Sequence, residues 1–394
     1  KPRHSSEASS IFSRSGSFNR ASRSGLNLCA MRRSMGRRGE AGKLMARFSL
    51  RIDYPLDEMR RTAARTQASQ RRGYADRVPV GFCITPRIWT PVAGIRYGEL
   101  FRDVETHYAL QLEYLKWRIE HVREDLLAGP VLSVSPFFDN VLNASAFGAE
   151  VPVPENETLR ALPVVHAPED MARVEPPTHD AGYWGKQIAW WHAMRDLCAD
   201  TEVFFDGTPG RVEMAPLSIG GEGPHIVAVD LAGADFYLWQ VDRPEECRAF
   251  LAKITAGMAA AERRMRIIDP RPRGGYGVAE DSAQAMSADM FRTFCLPYDE
   301  ALYREFGAGL DDGRGMHMCG KSVHLHAVLV DELAISSFNV FGAAVTPEVA
   351  ARTLGIDRST LYRMLVRWNA TYGAFRNTRD KETVLADRSR RGAP

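Results

Sequence analysis

Residues 276–342 read YGVAEDSAQAMSADMFRTFCLPYDEALYREFGAGLDDGRGMHMCGKSVHLHAVLVDELAISSFNVFG. YGVAEDS at 276–282 is a short apolar run ending in acids, the pattern of a strand that stops at a polar edge. Ser287 then caps a helix with Asp289 in its first turn, where an acid complements the helix dipole. GMHMCG at 315–320 predicts a strand, 322–333 a helix and ISSFNVFG at 335–342 a further strand. Upstream, VLSVSPF at 131–137 and TEVFFDG at 201–207 predict buried strands, and residues 97–125 and 244–268 carry apolar residues at helical spacing. Strands alternating with helices from about Asp76 predict an α/β fold with a parallel sheet. Polar residues gathered at strand C-terminal ends favour a barrel over an open sheet, because barrel sites sit there.

The residues with chemical potential lie at those ends. His317 and Cys319 are two apart in a strand, so their side chains share a face. Imidazole nitrogen with thiolate sulfur is a zinc-type pair, although two such residues in a strand are also ordinary core. Gly320 leaves the backbone open to an approaching ligand. Of the adjacent acids Glu280 and Asp281, one is expected to face the barrel mouth and the other to lean outward; a helix-capping or ion-pair role is the alternative. Asp139, after Phe137-Phe138, suits a partly apolar pocket with one polar anchor, or a plain turn. Trp184, Trp190, Trp191 and His192 line either a pocket for a planar ligand or a helix-packing face.

Composition narrows the class. The chain has 394 residues, 45% hydrophobic and 25% charged, which is ordinary globular composition. A formal net charge of +2 gives no field favouring nucleic acid or an anionic membrane. Six scattered cysteines fit reduced thiols and a cytoplasmic setting, and there is no apolar run of the ~18 residues that a membrane span needs.

DRVPVGF at 76–82, FFDNVLNASAFGAEV at 137–151, GGEGPHIVAVDLAGADFYLWQVDRPEECRAFLAKIT at 220–255, EDSAQAMSADMFRTFCLPY at 280–298 and HMCGKSVHL at 317–325 occur in an order that resembles the uroporphyrinogen decarboxylase superfamily. The resemblance covers about residues 76–350 and implies a (β/α)8 TIM-type barrel with its site at the strand C-terminal ends. It implies two chemistries. Decarboxylases of tetrapyrroles carry an Arg-Gln-Ala-Gly-Arg block, where this chain has Thr85-Pro86-Arg87-Ile88-Trp89; Asp139 matches their pyrrole-contacting aspartate. Corrinoid-dependent methyltransferases hold zinc with an H-x-C pair and a later cysteine. His317 and Cys319 match the pair, but Cys319 is the last cysteine here, so Glu280, His324 or another group must substitute. The expectation is thus zinc-assisted methyl transfer from a corrinoid, or a corrinoid protein, to a thiol or similar small molecule. Asp139, Glu280 and Asp281 are assigned to catalysis, Phe138, Arg87 and Trp184 to substrate binding, and His317 and Cys319 to the metal.

Both ends depart from this pattern. Residues 1–60 are Ser/Arg-rich and predict a disordered leader, a transit peptide being the other reading. The barrel is expected over 76–345. Residues 346–394 then read as a helical tail, and VTPEVAARTLGIDRSTLYRMLVRW at 345–368 resembles a Fis-type helix-turn-helix. A DNA-binding regulator with a decayed barrel is therefore a further reading, disfavoured by the near-neutral charge. Eight strands close such a barrel, so a helical, charged end predicts an incomplete one with ISSFNV near an exposed edge.

Overall fold

The computed structural model describes residues 47–338 except residues 72, 74, 83 and 308–312. The chain divides into Lys1–Phe48 and Ser49–Pro394; everything below concerns the second unit. The fold is mixed α/β.

Strand β1 (Phe48–Ile52) alternates buried and exposed residues, with Leu50 and Ile52 turned inward. Helix α1 (Leu56–Gln70) follows, with Asp57 and Glu58 in its first turn. Within the leader expected over residues 1–60, residues 48–52 and 56–60 form strand and helix. The alternating Phe48, Leu50 and Ile52 supply apolar area that the Ser/Arg-rich average over residues 1–60 conceals. The leader's residues 1–46 lie outside the described residues.

Helix α2 (Pro86–Ala93) and a 3-10 turn (Tyr97–Phe101) lead into α3 (Val104–His121), which Asp103 caps by accepting from the Thr106 N–H. Then come β2 (Val131–Val134), α4 (Leu142–Ala146) and α5 (Gly182–Ala199). Strand β3 (Thr201–Phe205) turns through Asp206 and Gly207, both at positive φ, into β4 (Thr208–Pro209). An Asp-Gly pair supports that tight antiparallel reversal. Strand β5 (Arg211–Met214) runs parallel to β2.

Three helices follow, α6 (Pro224–Ala232), α7 (Asp235–Asp242) and α8 (Pro244–Ile268). Helix α8 starts at proline, has Glu245 and Glu246 in its first turn, and buries Phe250, Leu251, Ile254, Met258 and Met265 along one stripe. Strand β6 (Tyr276–Ala279) is followed by a 3-10 turn (Asp281–Ala285), α9 (Ala288–Phe294) and α10 (Leu296–Phe306). Strand β7 (Arg314–His317) pairs in parallel with both β6 and β8 (Ser337–Phe338). The helix expected over 322–333 is instead a 3-10 turn at Val323–Leu325 and a π-helical turn at Val328–Glu332. This irregular path buries Leu325, Val328, Leu329 and Leu333 together.

Past β5 the chain continues to Glu222, which bridges in parallel to Ala279, so the β2–β5 pair meets the β6–β7–β8 sheet. The remaining sheet runs β1–β3–β4. A complete eight-stranded barrel is not shown among the described residues. The remainder of ISSFNVFG, the 346–394 tail and the helix-turn-helix resemblance lie outside them.

Candidate functional site

Because β6 and β7 are parallel, their C-terminal ends share one edge, which Glu222 joins through its bridge to Ala279. Along it, Glu222 is in register with Ala279, and Ala279 with His317. In-register residues of a parallel sheet project to the same face, and the methyl of Ala279 leaves room between its larger neighbours.

At the β7 end, Met318 turns into the core with no exposed surface, while His317 and Cys319 come together, Nε2 to Sγ 2.8 Å. The 3-10 turn after β6 brings Asp281 to them. One carboxylate oxygen lies 3.5 Å from His317 Nε2 and the other accepts from the Cys319 N–H. Cys319 is exposed, and the side chains of His317 and Asp281 are 29% and 34% exposed. The three donor atoms, one nitrogen, one sulfur and one oxygen, lie within 4.8 Å of one another.

Glu280 does not join them. Its side chain is wholly buried, and its two oxygens accept from the backbone N–H groups of His225 (3.1 Å) and Ile226 (3.2 Å) at the start of α6. Burial raises its pKa. This is the capping alternative, and it makes Glu280 a support beneath the site. His324 is held by the Met286 carbonyl (2.8 Å), and His326 lies 3.3 Å from Ser322 Oγ. The space beside Gly320 is not open either, because the Gln284 side chain fills it.

The other predicted residues form a second group around the end of β2. Asp139, at positive φ, accepts from Tyr97 Oη (2.6 Å) and the Leu159 N–H (2.8 Å), while burial raises its pKa. It thereby ties the 3-10 turn at Tyr97–Phe101 to the loop at Leu159. Phe138, 1% exposed, packs against Trp190 and Tyr183 at 4.9 and 5.1 Å between centroids. Lys186 Nζ sits about equally over these three rings, at 4.8 to 5.0 Å. Arg87 is exposed and pairs with Glu157 at 3.1 Å. Trp184 is fully buried and donates its indole N–H to Asn143 Oδ1 (3.0 Å), which removes it from substrate contact. Among the described residues no hydrogen bond or ion pair joins Asp139, Phe138 or Arg87 to the Asp281–His317–Cys319 group.

Glu222 was not singled out from the sequence. Asn143 Nδ2 donates to its Oε2 (2.9 Å), its Oε1 is buried without a hydrogen-bond partner, and burial, then nearby Asp230, pushes its pKa up to about 8. The available signal was an acid within Gly220-Gly221-Glu222-Gly223, between an apolar run and a proline-started helix. A cavity of about 540 Å³ lies elsewhere, among Glu58, Arg65, Asp76, Arg77 and Glu124.

No family model matches the chain, and no curated protein does. Among solved structures it is similar to a methyltransferase from Methanosarcina mazei, at 16% identity and a TM-score of 0.48, over 75% of this chain and 80% of that one.

Proposed function

We propose that the chain is a methyltransferase whose zinc ion is held by Asp281, His317 and Cys319, with a corrinoid as methyl donor and a thiol as acceptor. The observation that carries this reading is the convergence of carboxylate, imidazole and thiol at adjacent strand ends, with all three reachable from solvent. Imidazole, thiol and carboxylate are zinc donors. Around a tetrahedral ion with bonds of ~2.0–2.3 Å, donors stand ~3.5 Å apart. Asp281 and His317 already have that spacing, and the His317–Cys319 pair would open by less than ~1 Å. Three protein donors leave a fourth position for substrate, the pattern of catalytic zinc. Bound there, zinc lowers the pKa of a coordinated thiol and keeps it as a thiolate near neutrality.

Asp281 takes the place of the missing later cysteine. Its second oxygen, on the Cys319 N–H, fixes the turn that presents the thiol. Glu222, in register with His317 across Ala279, is held protonated near neutral pH and is placed to donate a hydrogen bond at this face. Lys186 and the rings around it give the β2 end an apolar wall with one cation, suited to the face of a planar donor.

The test uses purified full-length protein, methylcobalamin and a small thiol, with demethylation followed by absorbance and zinc measured on the same samples. The reading expects zinc-dependent turnover that Asp281→Asn, His317→Ala and Cys319→Ser each abolish. Turnover unchanged in all three variants, or zinc content unaltered by them, would overturn it.

A further inference from the structure

We infer a second cation site, fully buried, in which His225, Glu280 and Cys295, backed by Asp299, hold one divalent zinc-type ion. It does not depend on the proposed reaction. All four residues have at most 1% exposure. Donor atoms of His225, Glu280 and Cys295 lie within 4.8 Å of one another. Cys295 and Asp299 are one helical turn apart at the start of α10, with the Asp299 N–H on the Cys295 carbonyl (3.0 Å), so their side chains share a face.

The second observation is Asp299 itself. Both its carboxyl oxygens are buried and meet no N–H or hydroxyl donor, and the group within hydrogen-bond reach of them is the Glu280 carboxyl. The charges acting on Cys295 are those same two acids. Two carboxyls and a thiol thus meet in the core, and a cation among them would take the place of the protons that otherwise keep them neutral. Imidazole, thiolate and carboxylate are all zinc donors, and here protein closes around them on all sides.

The surroundings agree. His225 Nδ1 lies 2.8 Å from Ser282 Oγ, which is itself 3.4 Å from Glu280 Oε2, so Nδ1 is the ring nitrogen on the Glu280 side. Nε2 faces the Gln240 amide nitrogen at 2.7 Å, while Gln240 Oε1 is buried without a partner. Turning that amide over sets Oε1 on an Nε2–H and leaves Nδ1 as the lone-pair nitrogen, the outer hydrogen bond typical of a metal-bound histidine. Glu280 Oε1 accepts one backbone N–H and keeps a lone pair for an ion, while Oε2 takes both the Ile226 N–H and the Ser282 hydroxyl. Such an ion would pin β6, α6 and α10 together directly below Asp281.

Zinc content of the full chain, purified reduced and measured before and after a chelator, decides the matter. The expectation is about two zinc ions per chain, one of them resistant to chelation until the protein unfolds. The double variant His317→Ala/Cys319→Ser should keep the resistant ion. Cys295→Ser and Asp299→Asn should each lose it and keep the labile one. Cobalt loaded into the double variant should show a thiolate charge-transfer band that adding Cys295→Ser removes. If the double variant holds no metal and no such band, the inference is overturned, and Glu280 and Asp299 are an acid pair sharing a proton. That result decides even if the buried-site variants fail to fold. Loss of the labile ion alone would instead count against the exposed centre.

Discussion

The Asp281 carboxylate lies 3.5 Å from His317 Nε2, although the two residues end different strands and α9 and α10 intervene in the chain. The parallel pairing of β6 with β7 brings those strand ends side by side, and the turn at Asp281–Ala285 aims the carboxylate across. Asp281 is thus the predicted third donor, and removing it should weaken metal binding without unfolding the chain. Asp281→Asn is expected to lower zinc affinity of the labile site by at least ~10-fold, since it replaces an anionic ligand with a neutral one. Competition with a chromophoric chelator measures this, and an unchanged affinity would remove Asp281 from the ligand set.

Arg65 is the centre of an ionic cluster outside the site. It is 5% exposed and pairs with Glu58, Asp76 and Asp125 at 3.0, 2.6 and 2.8 Å. The Asp125 side chain is 1% exposed and also pairs with Arg77. Arg65→Met leaves Asp125 with half its compensation, and breaking a buried pair costs ~3–5 kcal/mol. Urea denaturation should show a loss toward the lower end of that range, because Arg77 remains.

Glu222 supplies a pH signature. Its pKa is raised from the ordinary carboxylate value to about 8, so the folded state holds a proton that the unfolded chain releases at lower pH. Its contribution to stability is present in full below the ordinary carboxylate pKa and is lost as pH rises through about 8. Glu222→Gln keeps an acceptor for Asn143 and carries no titrating proton. The variant should therefore gain stability relative to the parent between pH 5 and pH 8.5. Denaturant midpoints at several pH values check the slope; parallel curves would mean that Glu222 does not hold its proton.

Asn143 joins Trp184 to Glu222 within the core. Asn143→Ala strands the indole N–H and one carboxyl oxygen, at roughly 1–3 kcal/mol for each unsatisfied group. Asn143→Asp restores the acceptor for Trp184 but sets a second acid against Glu222. Both variants should lower the thermal midpoint, and an unaffected midpoint in Asn143→Ala would show that the relay contributes nothing.

Gly223 lies against Glu280, and a Cβ there would overlap the carboxyl. Gly223→Ala must displace Glu280 from the N–H groups of His225 and Ile226, uncapping α6. Gly320→Ala meets only the end of the exposed Gln284 side chain, which can swing away. Thermal denaturation should show a clear loss for the first and little change for the second.

Local pattern in the sequence determined the strands at 131, 201 and 276 and the long α8, because strand and helix periods are set by the backbone alone, whereas the strand expected over 315–320 runs Arg314–His317 and ends before Cys319. It did not separate Glu280 from Asp281. Their opposite placements depend on α6 arriving above one and β7 beside the other, contacts made by residues far away in the chain. For the same reason Trp184 read as a pocket residue, whereas Asn143 claims its only polar atom. Glu222 stayed hidden because its character comes from burial and from its register with Ala279. Sequence sets which donors the chain carries and which face of an element they share; strand pairing and burial alone decide which donors meet and which remain charged.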